Sequence, residues 1–351
     1  MKKKAVTNRN YFTIRSRNEL RKKYRDAGFR RKRIHQHFKG PREIRQRYQP
    51  SRPRVKRLIA PFEFNLFNKP NTVLEYIKSI KKMEGKENYY DHIFLDLSLV
   101  TDIDSGAISM LLSAAYHISI FNFSIGGNYP QDSRCKKIFK ASGFLSHMKY
   151  VSDSNNKPNQ NADMYIKKGR DKASGPRLGK TIKRALEILT GESRHYPPIY
   201  TMLLEMAGNS VEHAYEENKH WLLSMQYDED HNKIIFTFAD NGFGILNTIK
   251  KKFHQEIKDA VITSDDDVLR RAFKRKYGSR TREINRNTGL PSIEKVQTDN
   301  KVSNLTVITD NVFLDFSNNS SKLLNTRFMG TFYYWELTLK NLHDEKVLLS
   351  N

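Results

Sequence analysis

The feature that most constrains this chain is a polar row on an amphipathic helix, followed about thirty residues later by a strand that ends in a glycine turn. From Pro198 to Tyr215, Ile199, Met202, Leu203, Met206 and Val211 recur at helical spacing and make one face apolar. Glu205, Asn209 and His213 stand four residues apart, so they fall in one row of the same helix. A core helix carries apolar residues along such a row. An acid, an amide and an imidazole in register face something polar. A hard cation takes oxygen ligands, and an Asn carbonyl beside a carboxylate suits Mg2+ held mainly through phosphates and water.

The segment from Lys233 to Ala239 alternates and is rich in β-formers, so it reads as a strand that ends on Asp240. The chain then turns through Asp240-Asn241-Gly242-Phe243-Gly244-Ile245. Gly242 and Gly244 admit backbone torsions and close ligand approach that other residues resist. Asp240 either caps this turn or accepts a hydrogen bond from an exocyclic amine. Alone, the turn leaves both readings open, and the helix row alone also suits a solvated face. The two in this order, joined by a hairpin-like segment, are far more specific.

These motifs resemble the ATP-binding domain shared by gyrase, a class of heat-shock chaperones, histidine kinases and MutL, and are most similar to the anti-sigma-factor serine kinases. The resemblance implies that Asn209 ligates Mg2+ and that Glu205 orients or deprotonates the attacking water or hydroxyl, reaching the metal through water. It implies that Asp240 binds the adenine amino group, that Gly242, Gly244 and Ile245 shape the adenine pocket, and that His213 lies near the phosphates. Arg286-Asn287-Thr288-Gly289-Leu290-Pro291-Ser292-Ile293 is similar to the second glycine box of that class, leading from an ATP lid into a helix. Gly289 and Leu290 would then meet the phosphates at a helix N-terminus. Two glycines usual in that box are absent, with Asn287 and Pro291 near their places. Gly330-Thr331 opens a segment that resembles the closing strand of the domain, which adds Thr331 to the nucleotide residues. Between the boxes, Asp265–Lys274 reads as a helix with acids first and bases last. Arg280 and Arg282 follow in a lid-like stretch, either meeting the terminal phosphate or solvated.

The charge of +24 is concentrated at one end. Residues 1–57 hold 22 Lys and Arg against 3 acids, which leaves only +5 for the other 294 residues. Such an arm binds polyanions by counterion release, and its interleaved aromatics can stack on unpaired bases. An acidic protein partner or a membrane surface are the other readings. The single Cys135 excludes a disulfide framework and a cysteine-based zinc site. A reducing cytoplasm is therefore the expected home. The most apolar run, Ile108 to Ile125, is interrupted by Ser113, His117, Ser119 and Asn122, so a buried helix and strand are expected there and no membrane span.

Residues 58–150 read as a separate α/β unit. Tyr90–Ser98 is an expected strand, Ala107–Ile118 a helix, Phe121–Gly127 a strand and Asp132–Ser142 a helix, which implies a parallel sheet. The Asp-Leu-Ser and Asp104-Ser105-Gly106 stretch resembles the STAS fold of anti-sigma-factor antagonists. In that family the phosphorylated serine aligns with Gly106, so only Ser105, one place earlier, remains as an acceptor. The alternative is that Asp104 or Ser105 simply caps the helix.

The expectation is thus an α/β protein. A basic extension (1–57) is followed by a small STAS-like domain (58–150) and a linker (151–174). A two-layer sandwich ATPase domain (175–340), with a mixed sheet and helices on one face, precedes a short tail (341–351). The expected function is that of an Mg-ATP-binding regulator, an ATPase or serine/threonine protein kinase with a fused partner module. Its cofactors would be ATP and Mg2+. Its partners would be a regulatory protein, nucleic acid through residues 1–57, and a second copy in a homodimer. The alternative is a nucleic-acid or other polyanion-binding protein whose ATP-binding fold acts as a conformational switch.

Overall fold

The computed structural model describes residues 54–147, 161–168, 175–212, 220–253, 257, 264–274 and 289–342. Residues 53–351 make one compact unit. It is a mixed α/β structure, and among the described residues no helix is long and apolar enough to cross a membrane.

The first half builds a small parallel sheet. Strands β1 (Val55–Ile59), β3 (His92–Asp96) and β5 (Ser124–Gly127) pair in the order β1-β3-β5. A two-residue pair, β2 (Glu63–Phe64) with β4 (Asp102–Ile103), is also parallel. Strand β1 begins inside the stretch counted with the basic extension. Helix α1 (Pro70–Lys81) opens on a proline, which the first turn tolerates because its N–H would be unbonded anyway. It buries Val73, Leu74, Tyr76, Ile77 and Ile80 at helical spacing. Helix α2 (Ser105–Ser119) is N-capped by Asp104, whose carboxylate accepts the Ala107 N–H at 2.6 Å. Twelve of its fifteen residues are buried, as befits a helix with protein on nearly every side. Helix α3 (Ser133–Ala141) follows, capped by Asp132.

The second half carries a five-stranded sheet in the order β6-β7-β8-β10-β9, formed by Ala162–Lys168, His220–Asp228, Lys233–Asp240, Ser320–Thr338 and Ser303–Asp315. All four pairings are antiparallel, where a mixed sheet was expected. Strand β6 lies within the stretch read as linker: its alternating Ala162, Met164 and Ile166 pair it with β7. Among the described residues, this half also carries helices α4 (Gly175–Thr190), α5 (Pro197–Glu212), α6 (Ile245–Lys252), α7 (Asp265–Phe273) and α8 (Gly289–Thr298). Helix α7 has three Asp in its first turn and two Arg in its last, the arrangement that a helix dipole favours.

Both faces of the five-stranded sheet are covered, where helices on one face were expected. Trp221, Leu223, Phe236, Phe238, Tyr333 and Trp335 point into a core shared with α4 and α5. Their sequence neighbours Leu222, Ala239, Phe332 and Tyr334 point the other way. There they join a core that contains Leu74 and Ile77 of α1, Ile108 and Leu112 of α2, and Ile93 and Leu95 of the small sheet. Because strand side chains alternate, a sheet buried on both faces must be apolar at consecutive positions, as Phe236–Ala239 nearly is. Helices α1 and α2 therefore lie between the two sheets.

Candidate functional site

Helix α5 begins at Pro197 and Pro198 and buries Ile199, Met202, Leu203, Met206 and Ala207. Glu205 and Asn209 are left half-buried along the helix side. Gly289, the first residue of α8, sits against this row. A Cβ on Gly289 would stand 2.9 Å from Glu205 Oε2 and 3.5 Å from both amide atoms of Asn209. Any larger residue at 289 would push into the carboxylate. The start of α8, with its unbonded N–H groups, thus lies beside an acid and an amide that came from a helix eighty residues earlier. Leu290 is half-buried and packs on the same core.

Asp240 ends β8 between Trp221 of β7 and Thr331 of β10. It is 8% exposed. Its Oδ1 accepts the backbone N–H groups of Gly242 (2.7 Å) and Thr331 (3.2 Å), and Ser210 Oγ lies 3.3 Å from Oδ2. Burial pushes the Asp240 carboxyl above the usual carboxylate range, and these hydrogen bonds pull against it. Ser210 follows Asn209, so this contact ties the polar row of α5 to the turn after β8.

The turn itself is held from β9 and β10. Gly244 has φ +82 and N-caps α6, and a Cβ there would stand 2.6 Å from Asp310 Oδ2. Thr309 Oγ1 accepts the Ile245 N–H at 2.9 Å and donates to the Gly330 carbonyl at 3.1 Å. Gly330 has φ +121, and a Cβ there would fall 2.0 Å from the Asp240 carbonyl oxygen. Only a residue without a side chain lets β10 pass so close and deliver the Thr331 N–H to Asp240.

The structure therefore brings Glu205, Asn209 and Gly289 together at one end, and Asp240, Gly242, Gly244, Ile245 and Thr331 at the other, linked through Ser210. Sequence reasoning did not single out Ser210, Thr309 or Asp310. Ser210 lies inside the helical run from Pro198 to Tyr215, whereas Thr309 and Asp310 carry no local signal because they reach the turn only through strand pairing. His213, Arg280, Arg282 and Asn287 lie outside the described residues. Among the described residues, no group of three or more His, Cys, Asp or Glu side chains is placed to hold a metal ion. A cation here would take few protein ligands, as Mg2+ does when phosphates and water complete its shell.

In the first half, Asp104 is the helix cap and Ser105 is buried, its hydroxyl 3.0 Å from Gln226 Oε1 of β7. A Cβ on Gly106 would stand 2.9 Å from Leu66 Cδ2. Of the basic extension, only residues 54–57 are described, with Arg54, Lys56 and Arg57 as their charged members. Arg54 pairs with Asp91, and Arg57 donates to Asp96 at 2.7 Å. Both arginines spend their charge within the fold.

No protein-family model matches the chain, and no curated protein matches it.

Proposed function

We propose that this protein is an Mg-ATP-binding regulator, acting as an ATPase or a serine/threonine protein kinase of the anti-sigma-factor-kinase type. In this reading the second half is a sandwich ATP-binding domain and the first half a STAS-like module fused to it. The observation that carries it is the approach of Gly289 to Glu205 and Asn209 across eighty residues of sequence. It leaves a backbone cradle beside hard oxygen donors, which suits phosphates and their cation. At the other end, the buried Asp240 keeps acceptor capacity toward an exocyclic amine, with Thr331 beside it.

Bound ATP would supply the phosphoryl group that is hydrolysed or transferred. Asn209 would hold Mg2+ by its amide oxygen, and Gly289 and Leu290 would offer N–H groups to phosphate. The Glu205 carboxylate would take the proton from an attacking water or hydroxyl. A base that acts this way must be reachable, and Glu205 is half-exposed.

The test is a calorimetric titration of the full chain with Mg2+ and a non-hydrolysable ATP analogue. Micromolar binding is expected, lost on Asp240→Asn and on Asn209→Ala with the fold retained. Glu205→Ala should bind ATP and lose turnover. No binding by folded wild-type protein would overturn the reading.

A further inference from the structure

One side of α2 carries a polar residue at every fourth position: Ser105, Ser109, Ser113 and His117. Each meets a polar partner on the five-stranded sheet or the turn after it. Ser105 Oγ bonds Gln226 (3.0 Å), Ser109 Oγ receives Thr237 Oγ1 (2.8 Å), and Ser113 Oγ lies 3.1 Å from His220 Nε2. The last rung differs from the others in where it lands. His117 Nδ1 lies 3.3 Å from Nδ2 of Asn241, the residue after Asp240.

The surroundings assign the protons on this rung. Asn241 Oδ1 accepts the His220 backbone N–H at 2.7 Å, and the Asn241 N–H donates to the His220 carbonyl at 3.2 Å. With its oxygen used in this way, the amide must present its Nδ2–H to the imidazole, so Nδ1 is the acceptor. The other nitrogen, Nε2, lies 3.0 Å from Glu84 Oε2 and carries the N–H that donates to it. The imidazole is also braced by the Phe121 ring at 5.2 Å. A chain of contacts thus runs from Glu84, after α1, through His117 to the peptide that follows Asp240. That turn is closed on its far side by the bond from Gly242 to Asp240.

We propose that His117, supplied by the first half of the chain, is a positioning residue for the nucleotide-binding turn at Asp240–Gly242. It acts through Asn241 and does not touch the ligand. The helix layer between the sheets therefore sets the geometry of the site as well as covering the sheet. This inference rests on the nucleotide reading above and adds to it a dependence on the first half.

Two amide variants of the full chain separate the nitrogens, because Asn mimics Nδ1 of histidine and Gln mimics Nε2. Binding of Mg2+ and the non-hydrolysable ATP analogue is measured by calorimetry for wild type, H117N, H117Q and D240N, with the thermal midpoint of each. H117N is expected to keep near wild-type affinity. H117Q should lose about tenfold, the size of one hydrogen bond, at a similar midpoint. Equal affinity of H117N and H117Q overturns the proposal, because a merely space-filling histidine would not distinguish them. A weak H117N beside a strong H117Q overturns it too, by assigning the effect to the Glu84 side. Failure of wild type to bind, or binding that D240N leaves unchanged, removes the nucleotide reading itself and this inference with it.

Discussion

The two faces of the five-stranded sheet are held by different physics. On the side of α4 and α5, Trp221 stacks on Phe238 with centroids 5.3 Å apart, and Phe236 on Trp335 at the same spacing. This face is apolar, and its stabilisation comes from burying area. On the side of α1 and α2, leucine, alanine and phenylalanine side chains alternate with the Ser105–Ser109–Ser113–His117 ladder and its partners. Burial there is just as complete: Ser109 is 0% and Thr237 1% exposed. Non-directional contacts tolerate small slides. A row of hydrogen bonds does not, because moving α2 by one residue would unpair every rung at once. The first face supplies bulk, and the second fixes register between the halves.

The largest break should come on the apolar face. Trp335→Ala should lower the unfolding free energy by ~3–5 kcal/mol, read from urea melts. A loss as small as that of a surface substitution would show that the stacked aromatics are not the main anchor of that face. On the other face the loss is smaller and depends on whether the partner group is removed as well. Ser109→Ala leaves the Thr237 hydroxyl buried without its partner and should cost ~1–3 kcal/mol. The double variant Ser109→Ala/Thr237→Val removes both polar groups and should be less destabilised than the sum of the single variants, read as a double-mutant cycle. Strict additivity would mean that the ladder contributes by packing alone.

The smallest effect is a pH slope at the start of the same ladder. Burial pushes the Asp104 carboxyl up to about 6, against three backbone N–H bonds from Ala107, Leu66 and Phe67. Its folded value lies above the unfolded 3.8, so the folded state binds the proton more tightly. The contribution of Asp104 to stability is therefore full below about 4 and is lost as pH rises through about 6. Asp96 runs the other way. Burial opposes its charge, but Ser98, Asn128 and Arg57 outweigh that and hold it well below the usual range. Its contribution is present above the unfolded value and fades as pH falls below it. Melts at pH ~4.5 and ~7, below and above the folded value of about 6, should show wild type losing stability relative to Asp104→Asn at the higher pH. No difference would mean that the backbone N–H groups keep Asp104 ionised throughout.

The parts of this fold that were readable beforehand are those written in local periods. The 3.6 repeat of α5, the alternation of β8, the strand–helix alternation of the first half and the charge order of α7 all stand in the structure where the pattern placed them. What was not readable depends on partners far away in the chain. Strand β6 follows a polar, breaker-rich run and looks like its continuation until β7 pairs with it. Ser113 and His117 looked like interruptions of an apolar helix, and their purpose exists only because His220 and Asn241 face that side of α2. At the candidate site, Gly289 and Thr331 came from a resemblance, whereas Thr309 and Asp310 arrive through β-pairing that no local pattern encodes. The second covered face of the large sheet was missed for the same reason: alternation shows that strand side chains point both ways, but not what covers each side.

Gly330 turns this dependence into a constraint on inheritance. Its missing side chain is the gap through which β10 reaches Asp240, and the atom in the way of any Cβ is a backbone oxygen, which no rotamer change can clear. In a library holding every substitution along β10, position 330 should be a column with a single survivor, while the exposed Met329 beside it accepts most residues. The site's tolerance for sequence drift is thus set, at this strand, by one backbone crossing.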